Sequence, residues 1–127
     1  MSEIRTGACL CGAVTYRVEG PLRSVTLCHC GQCRRMAGHA WGSAVAPRAA
    51  ITVSGPLTWY RSSPQAERGF CPRCGSSLFW RADGEDGQSV ALGSLDEPTG
   101  LTLEGHIFAG DKGDYYEITD GLPIRGG

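Results

Sequence analysis

The sequence of 127 residues lacks a long hydrophobic run, contains a single lysine (Lys112) among its 12 basic side chains, and carries no excess of charge of either sign. Each scarcity excludes something. No apolar stretch approaches the ~18 residues that a membrane-crossing helix needs, and no basic amphipathic segment offers a surface anchor, so no membrane partner is expected. The formal net charge of −1 gives no electrostatic footprint for nucleic acid. Ionised cysteines would make the balance more negative still, even with two metal ions bound. Residues 1–6 are polar and include Glu3 and Arg5, unlike a secretory signal, so a reducing, cytoplasmic setting is expected. No linker, repeat or low-complexity segment divides the chain. One domain over residues 1–127 is expected, small enough that a structural metal would help to stabilise it, with residues 125–127 as a frayed tail.

Nineteen glycines and seven prolines cut the sequence into short pieces, and those pieces are mostly β-branched or aromatic. That combination predicts an all-β fold of short antiparallel strands. Residues 13–18 alternate apolar with polar, as a half-buried strand does, and Gly20-Pro21 ends them. Further strands are predicted at 24–27, 41–45, 51–53, 57–61, 77–81, 89–93, 103–108 and 115–118. Asp83-Gly84 and Asp86-Gly87 tolerate positive φ, which predicts that the 77–81 and 89–93 strands pair as a hairpin. A short helix is predicted around 32–37.

The seven cysteines carry the chemistry. They fall into Cys9-Leu10-Cys11, Cys28-His29-Cys30-Gly31-Gln32-Cys33 and Cys71-Pro72-Arg73-Cys74. Thiolates two or three residues apart on tight turns converge on a tetrahedral zinc ion, whereas neighbours that close are poorly placed to bridge one another. An odd total also fits disulfides badly. Cys71-Pro72-Arg73-Cys74-Gly75 has the form of a zinc knuckle, and Cys9 and Cys11, at i and i+2, would share one side of an extended segment. Those four close one shell, while Cys28, Cys30 and Cys33 leave an open position for water or a substrate. Spacing alone also permits the knuckle to take two sulfurs from the 28–33 cluster and leave Cys9 and Cys11 idle. Metal and fold are coupled in either case, because the cysteines lie at both ends of the first 74 residues.

These motifs carry a family resemblance. Gly7-x-Cys9-x-Cys11-Gly12-Ala13-Val14, Cys28-His29-Cys30-x-x-Cys33-Arg34, Phe70-Cys71-Pro72-x-Cys74-Gly75-Ser76, Gly93-Ser94-Leu95-Asp96 and His106-Ile107-Phe108 together resemble the glutathione-dependent formaldehyde-activating enzymes and centromere protein V. The resemblance spans residues 7–123. It implies a β-tent fold with two zinc ions. Cys9, Cys11, Cys71 and Cys74 match the structural-zinc ligands, and Cys28, Cys30 and Cys33 match those of the catalytic zinc. It further implies a carbon–sulfur lyase that joins a small aldehyde to a thiol such as glutathione, giving S-hydroxymethylglutathione, or reverses that addition. One departure is Asp114-Tyr115-Tyr116-Glu117, where relatives often place Trp before Tyr-Glu.

Other residues admit two readings. Arg34 and Arg35 could hold a substrate carboxylate or form a solvated turn, and Arg68 and Arg73 read as solvent-facing. His29, between two ligands, should point away from the metal, either supporting the site or packing. His106 could be an acid or base, or a satisfied core histidine. Asp96-Glu97-Pro98 reads as a turn. Trp41, Trp59, Tyr60, Phe70, Phe79 and Trp80 read as sheet packing, with one or two lining a pocket. Two rival classes remain: a non-catalytic zinc-binding interaction module, and a redox or metal-buffering protein.

Overall fold

A computed structural model describes residues 3–126. Strand β1 (Ile4–Ala8) pairs antiparallel with β2 (Thr15–Glu19), and β2 pairs antiparallel with β5 (Ile51–Ser54), giving a three-stranded sheet with β2 at its centre. The alternation read from the sequence is present in β2: Tyr16 and Val18 are buried, while Thr15, Arg17 and Glu19 face out. The other seven strands are β3 (Arg23–Cys28), β4 (Trp41–Pro47), β6 (Thr58–Ser63), β7 (Ala66–Phe70), β8 (Ser77–Ala82), β9 (Gly87–Ala91) and β10 (Gly105–Ile107). They form one sheet in the order β10-β3-β4-β9-β8-β7-β6. The fold is mostly β, with a single α-helix, α1 (Gly31–Ala37), among the described residues.

The two faces of the large sheet have different neighbours. Ala44, Ala46, Phe79 and Val90 point one way and join Val14, Tyr16 and Val18 in the main apolar cluster, with Tyr16 edge-on to Phe79 at 5.1 Å between ring centroids. The residues one position along each strand point the other way. Trp41 and Ala91 there pack with Cys28 and Cys33, with Trp80 and Ile107 against them. The core thus lies on one face, and a second, smaller cluster containing three of the cysteines lies on the other.

The structure corrects several expectations. Not every pair is antiparallel, because β10 runs parallel to β3, with Ile107 opposite Cys28. The chain between β9 and β10 is long enough to return in the same direction as β3, which a tight hairpin cannot do. Strands β1 and β7 form where none was expected. Residues 115–118 form no strand; they are held by side chains instead. Arg125 is not frayed, since its N–H donates to the His106 carbonyl at 2.9 Å. Gly127 lies outside the described residues. The β8–β9 hairpin forms as read, with Phe79 opposite Val90 and Trp80 opposite Ser89.

Candidate functional site

Cys9 and Cys11 sit on the connection between β1 and β2, and Cys71 and Cys74 on the turn between β7 and β8. The first pair meets through a turn rather than along an extended segment: the Gly12 N–H donates to the Cys9 carbonyl at 3.2 Å, and Gly12 takes φ 80. In the knuckle, the Gly75 N–H donates to the Cys71 carbonyl at 2.8 Å, and Gly75 takes φ 81, a conformation that glycine adopts without steric cost. All four sulfurs lie within 4.8 Å of one another, with Cys9 Sγ 3.6 Å from Cys11 Sγ and Cys11 Sγ 3.8 Å from Cys71 Sγ. A tetrahedral zinc ion with bonds of ~2.3 Å sets its sulfurs ~3.8 Å apart, so the set fits that ion. The Ser76 hydroxyl and amide pull the Cys74 thiol down to about 5.

Cys28, Cys30 and Cys33 form a second group with sulfurs within 4.8 Å of one another. Cys28 ends β3 and lies between Trp41 and Ile107 on its neighbours. Cys30 caps α1: its sulfur accepts from the Cys33 N–H at 3.2 Å, while Gly38 closes the helix at φ 83. The cap turns the chain sharply enough to return Cys33 to the other two. Cys33 is pulled down to about 5, first by the hydrogen bond with Cys28 and then, against burial, by Cys30 and the Arg68 guanidinium. Cys28 is pushed up by the same pairing with Cys33 and by burial. All seven cysteines are free thiols. No fourth His, Cys, Asp or Glu among the described residues joins the three sulfurs. The donor chemistry therefore suits a zinc ion with one position left for a small ligand.

A cavity of about 390 Å³ adjoins this triangle, walled by Trp41, Trp80 and Ile107, with Arg68 among its polar residues. Phe108, at its rim, holds φ 53, unusual for an aromatic side chain. A larger cleft of about 700 Å³ runs past Met36 and Leu10, but Cys9 is its only titratable lining residue. Of these two, the smaller cavity is the one that adjoins the three-sulfur group.

Arg68 corrects the reading of a solvent-facing residue: it is 3% exposed. Its Nη2 donates to Cys33 Sγ at 3.5 Å, and its Nε donates to Gln32 Oε1 at 2.7 Å. Gln32 is itself fixed by donating to the Ser62 carbonyl at 3.0 Å. The guanidinium also lies over the Trp41 ring, 5.5 Å from its centroid. The sequence hides this arrangement because β7, with Glu67, Arg68 and Gly69, has poor strand propensity. The cross-strand row of Arg68, Trp80 and Ser89 becomes visible only once β7, β8 and β9 are paired. Arg73 is exposed, as read, and so is Arg35. Arg34 is half-buried in a cleft with Lys112 and Tyr115, away from the cavity. Trp41 and Trp80 are the two aromatics of the predicted set that line the cavity, whereas Tyr60 is 58% exposed on the edge strand rather than packed.

His29 does turn away from the sulfurs. Its Nδ1 is bonded to the Tyr116 hydroxyl and its Nε2 to His106 Nδ1 at 2.8 Å, and His106 Nε2 reaches Asp120 Oδ2 at 2.7 Å. His106 is thus a buried histidine with both nitrogens satisfied. Burial, followed by the neighbouring charges of His106, His39 and Lys112, pulls His29 below the usual imidazole range. Asp96 accepts from the Thr6 hydroxyl at 2.6 Å, on the surface and outside the cavity lining.

Fold and site together define a small β protein with two separate cysteine clusters, one of four sulfurs and one of three, each close enough to hold a metal ion. The sequence profile of the family described as glutathione-dependent formaldehyde-activating enzyme matches residues 4–111, and the chain belongs to that family. It is 25% identical over 118 residues to an uncharacterized lyase of Schizosaccharomyces pombe, covering 90% of this chain and 85% of that one. The crystal structure of a Rhodobacter sphaeroides protein superposes with a TM-score of 0.64 at 27% identity, over 80% of this chain and 98% of that one. Both likenesses extend across most of the chain rather than over the cysteine motifs alone.

Proposed function

We propose that the chain is a cytoplasmic zinc-dependent carbon–sulfur lyase of the S-(hydroxymethyl)glutathione synthase type, adding a small aldehyde to a thiol such as glutathione or reversing that addition. Family membership supports the class, as does the name of the yeast relative. The observation that carries the reading is the three-sulfur triangle with no fourth protein ligand, beside a cavity large enough for a small organic molecule. Cys28, Cys30 and Cys33 would hold the catalytic zinc, which supplies a coordination position for a thiolate and modest Lewis acidity. The closed set of Cys9, Cys11, Cys71 and Cys74 would hold a structural ion.

The chain's own residues do the rest. Trp41, Trp80 and Ile107 exclude water from one side of the cavity and hold the reactants close, which lowers the entropic part of the barrier. The Arg68 guanidinium offsets the single negative charge left when three thiolates meet a dication, so an anionic reactant can enter. The test is the rate of hydroxymethylglutathione formation above the spontaneous reaction, for the wild type and for Cys30→Ser. Acceleration by the wild type alone is expected; equal rates would remove the lyase reading.

A further inference from the structure

Five buried side-chain polar atoms lack a hydrogen-bond partner among the described residues: Arg34 Nε, Arg48 Nε, Ser62 Oγ, Arg68 Nη1 and Ser77 Oγ. Of these residues only Arg68 lines the cavity beside the three cysteines, and it is the one that is almost fully buried. A guanidinium brings five N–H donors, and leaving part of a buried charged group without an acceptor is costly. The rest of this side chain is firmly held. Nε is committed to Gln32, Nη2 to Cys33, and the flat face to Trp41. The two N–H donors of Nη1 are therefore unfilled on a side chain that is fixed rather than mobile.

We infer that Arg68 is the oxygen-binding residue of this site: Nη1 takes the anionic oxygen of the substrate while the sulfur end faces the Cys28, Cys30 and Cys33 triangle. The inference rests on the thiol–aldehyde reading above and divides the substrate between two anchors. In the forward direction the thiolate sulfur forms a bond to the carbonyl carbon, and the π pair of the C=O bond moves to oxygen. The resulting alkoxide is held by Arg68 and takes a proton from water. In reverse, the hydroxyl loses that proton, the C=O bond re-forms, and the C–S bond breaks to return the thiolate. Arg68 gives up no proton in either direction. A donor already fixed in place can stabilise the charge that develops on oxygen without reorganising as the reaction proceeds.

The test is a binding measurement that does not depend on turnover. Mercaptoacetate carries a thiol and an anionic oxygen two carbons apart, one more than in the thiohemiacetal alkoxide, and mercaptoacetamide has the same shape without the charge. Both are titrated into the zinc-loaded protein by tryptophan fluorescence, which Trp41 and Trp80 place at the cavity, and by calorimetry. The wild type is expected to prefer mercaptoacetate by about tenfold, the worth of one charge-assisted hydrogen bond, and Arg68→Met is expected to lose that preference while still binding mercaptoacetamide. Arg68→Lys keeps a buried cation should the methionine variant fail to fold. It cannot serve Cys33 and the cavity together, so most of the preference should vanish there as well. A wild type that binds neither probe or binds both equally overturns the inference, and so does a preference that survives in the variants. A preference that depends on Arg68 in a protein that does not accelerate hydroxymethylglutathione formation would leave the oxygen-binding role of Arg68 standing and remove the lyase reading together with its alkoxide step.

Discussion

His29 and His106 share a hydrogen bond of 2.8 Å between Nε2 of the first and Nδ1 of the second, and both rings are buried. With both rings taken as neutral imidazoles, the remaining partners give each bond one consistent direction. Asp120 is an acceptor, so His106 Nε2 donates to it, leaving His106 Nδ1 to accept from His29 Nε2. His29 Nδ1 must then accept from the Tyr116 hydroxyl. In this arrangement all three bonds are satisfied without a charge on either ring. The chain ties two residues of the C-terminal segment, which has little regular structure, to the loop that carries Cys28 and Cys30.

Tyr116→Phe removes the O–H donor and leaves His29 Nδ1 buried without a partner. A destabilisation of about 1–3 kcal/mol is expected, measured by urea unfolding of the zinc-loaded protein. The companion variant Tyr115→Phe removes only the exposed bond to His39, at 2.8 Å, and should cost much less. Equal effects of the two variants would show that the buried chain is not what holds the segment.

Asp120 gives this chain an acid limit. Its carboxyl is held below the usual carboxylate range, first by the Leu122 N–H and then by the His106 ring. A depressed folded-state value means that the unfolded chain binds the proton more readily. The stabilisation is therefore complete above the ordinary aspartate value of ~3.9 and is lost as pH falls through the depressed one. Unfolding midpoints of the wild type and Asp120→Asn should differ at pH 7 and converge below about pH 4. A gap that stays constant down to pH 3 would contradict this.

Most of the strands and both cysteine groupings were legible because each has a short-range cause. Alternation marks β2, glycine turns mark the β8–β9 hairpin, and close sulfur spacing marks the two cysteine sets. What stayed hidden depends on partners far apart in sequence. β7 is a strand only because β6 and β8 flank it, and its Arg68 reads as a surface charge until Cys33 and Gln32 arrive from α1. Residues 115–118 look strand-like by composition, yet Tyr116 is drawn to His29, 87 positions earlier. The parallel pairing of β10 with β3 likewise follows from a long connection whose path local sequence does not record.

Gly55 is a position where any side chain should be rejected. It takes φ 102, and a Cβ there would lie 2.0 Å from the Ala13 carbonyl oxygen, a backbone atom that cannot swing aside. Gly84 takes φ 75 but has nothing within 4 Å of its Cβ position. Gly84→Ala should therefore cost only the left-handed backbone penalty of about 1–2 kcal/mol, while Gly55→Ala should cost clearly more. Urea midpoints of the two variants check the order, and an equal loss would mean that the contact with Ala13 is relieved elsewhere.

The two cysteine sets should respond differently to loss of a ligand, because they occupy different places in the fold. Cys9 and Cys11 leave the three-stranded sheet and Cys71 and Cys74 belong to the seven-stranded one, so a metal held by these four fastens one sheet to the other. Cys71 is also 0% exposed, and a serine there would bury a hydroxyl in place of a sulfur ligand. Cys28, Cys30 and Cys33 lie close together in sequence and join only the end of β3 to α1. Binding energy at the first set is thus folding energy, whereas the second lies on a connection already held by the Cys30 cap and by β4. Cys71→Ser should unfold the domain or lower its melting temperature sharply, and Cys30→Ser should leave a folded chain that retains one zinc of the two expected in the wild type. Metal analysis with circular dichroism of both variants tests this, and graded chelation should remove the ion at Cys28, Cys30 and Cys33 before the fold is lost. A Cys71→Ser protein that stays folded with one zinc would show that the four-sulfur set does not bind the sheets together.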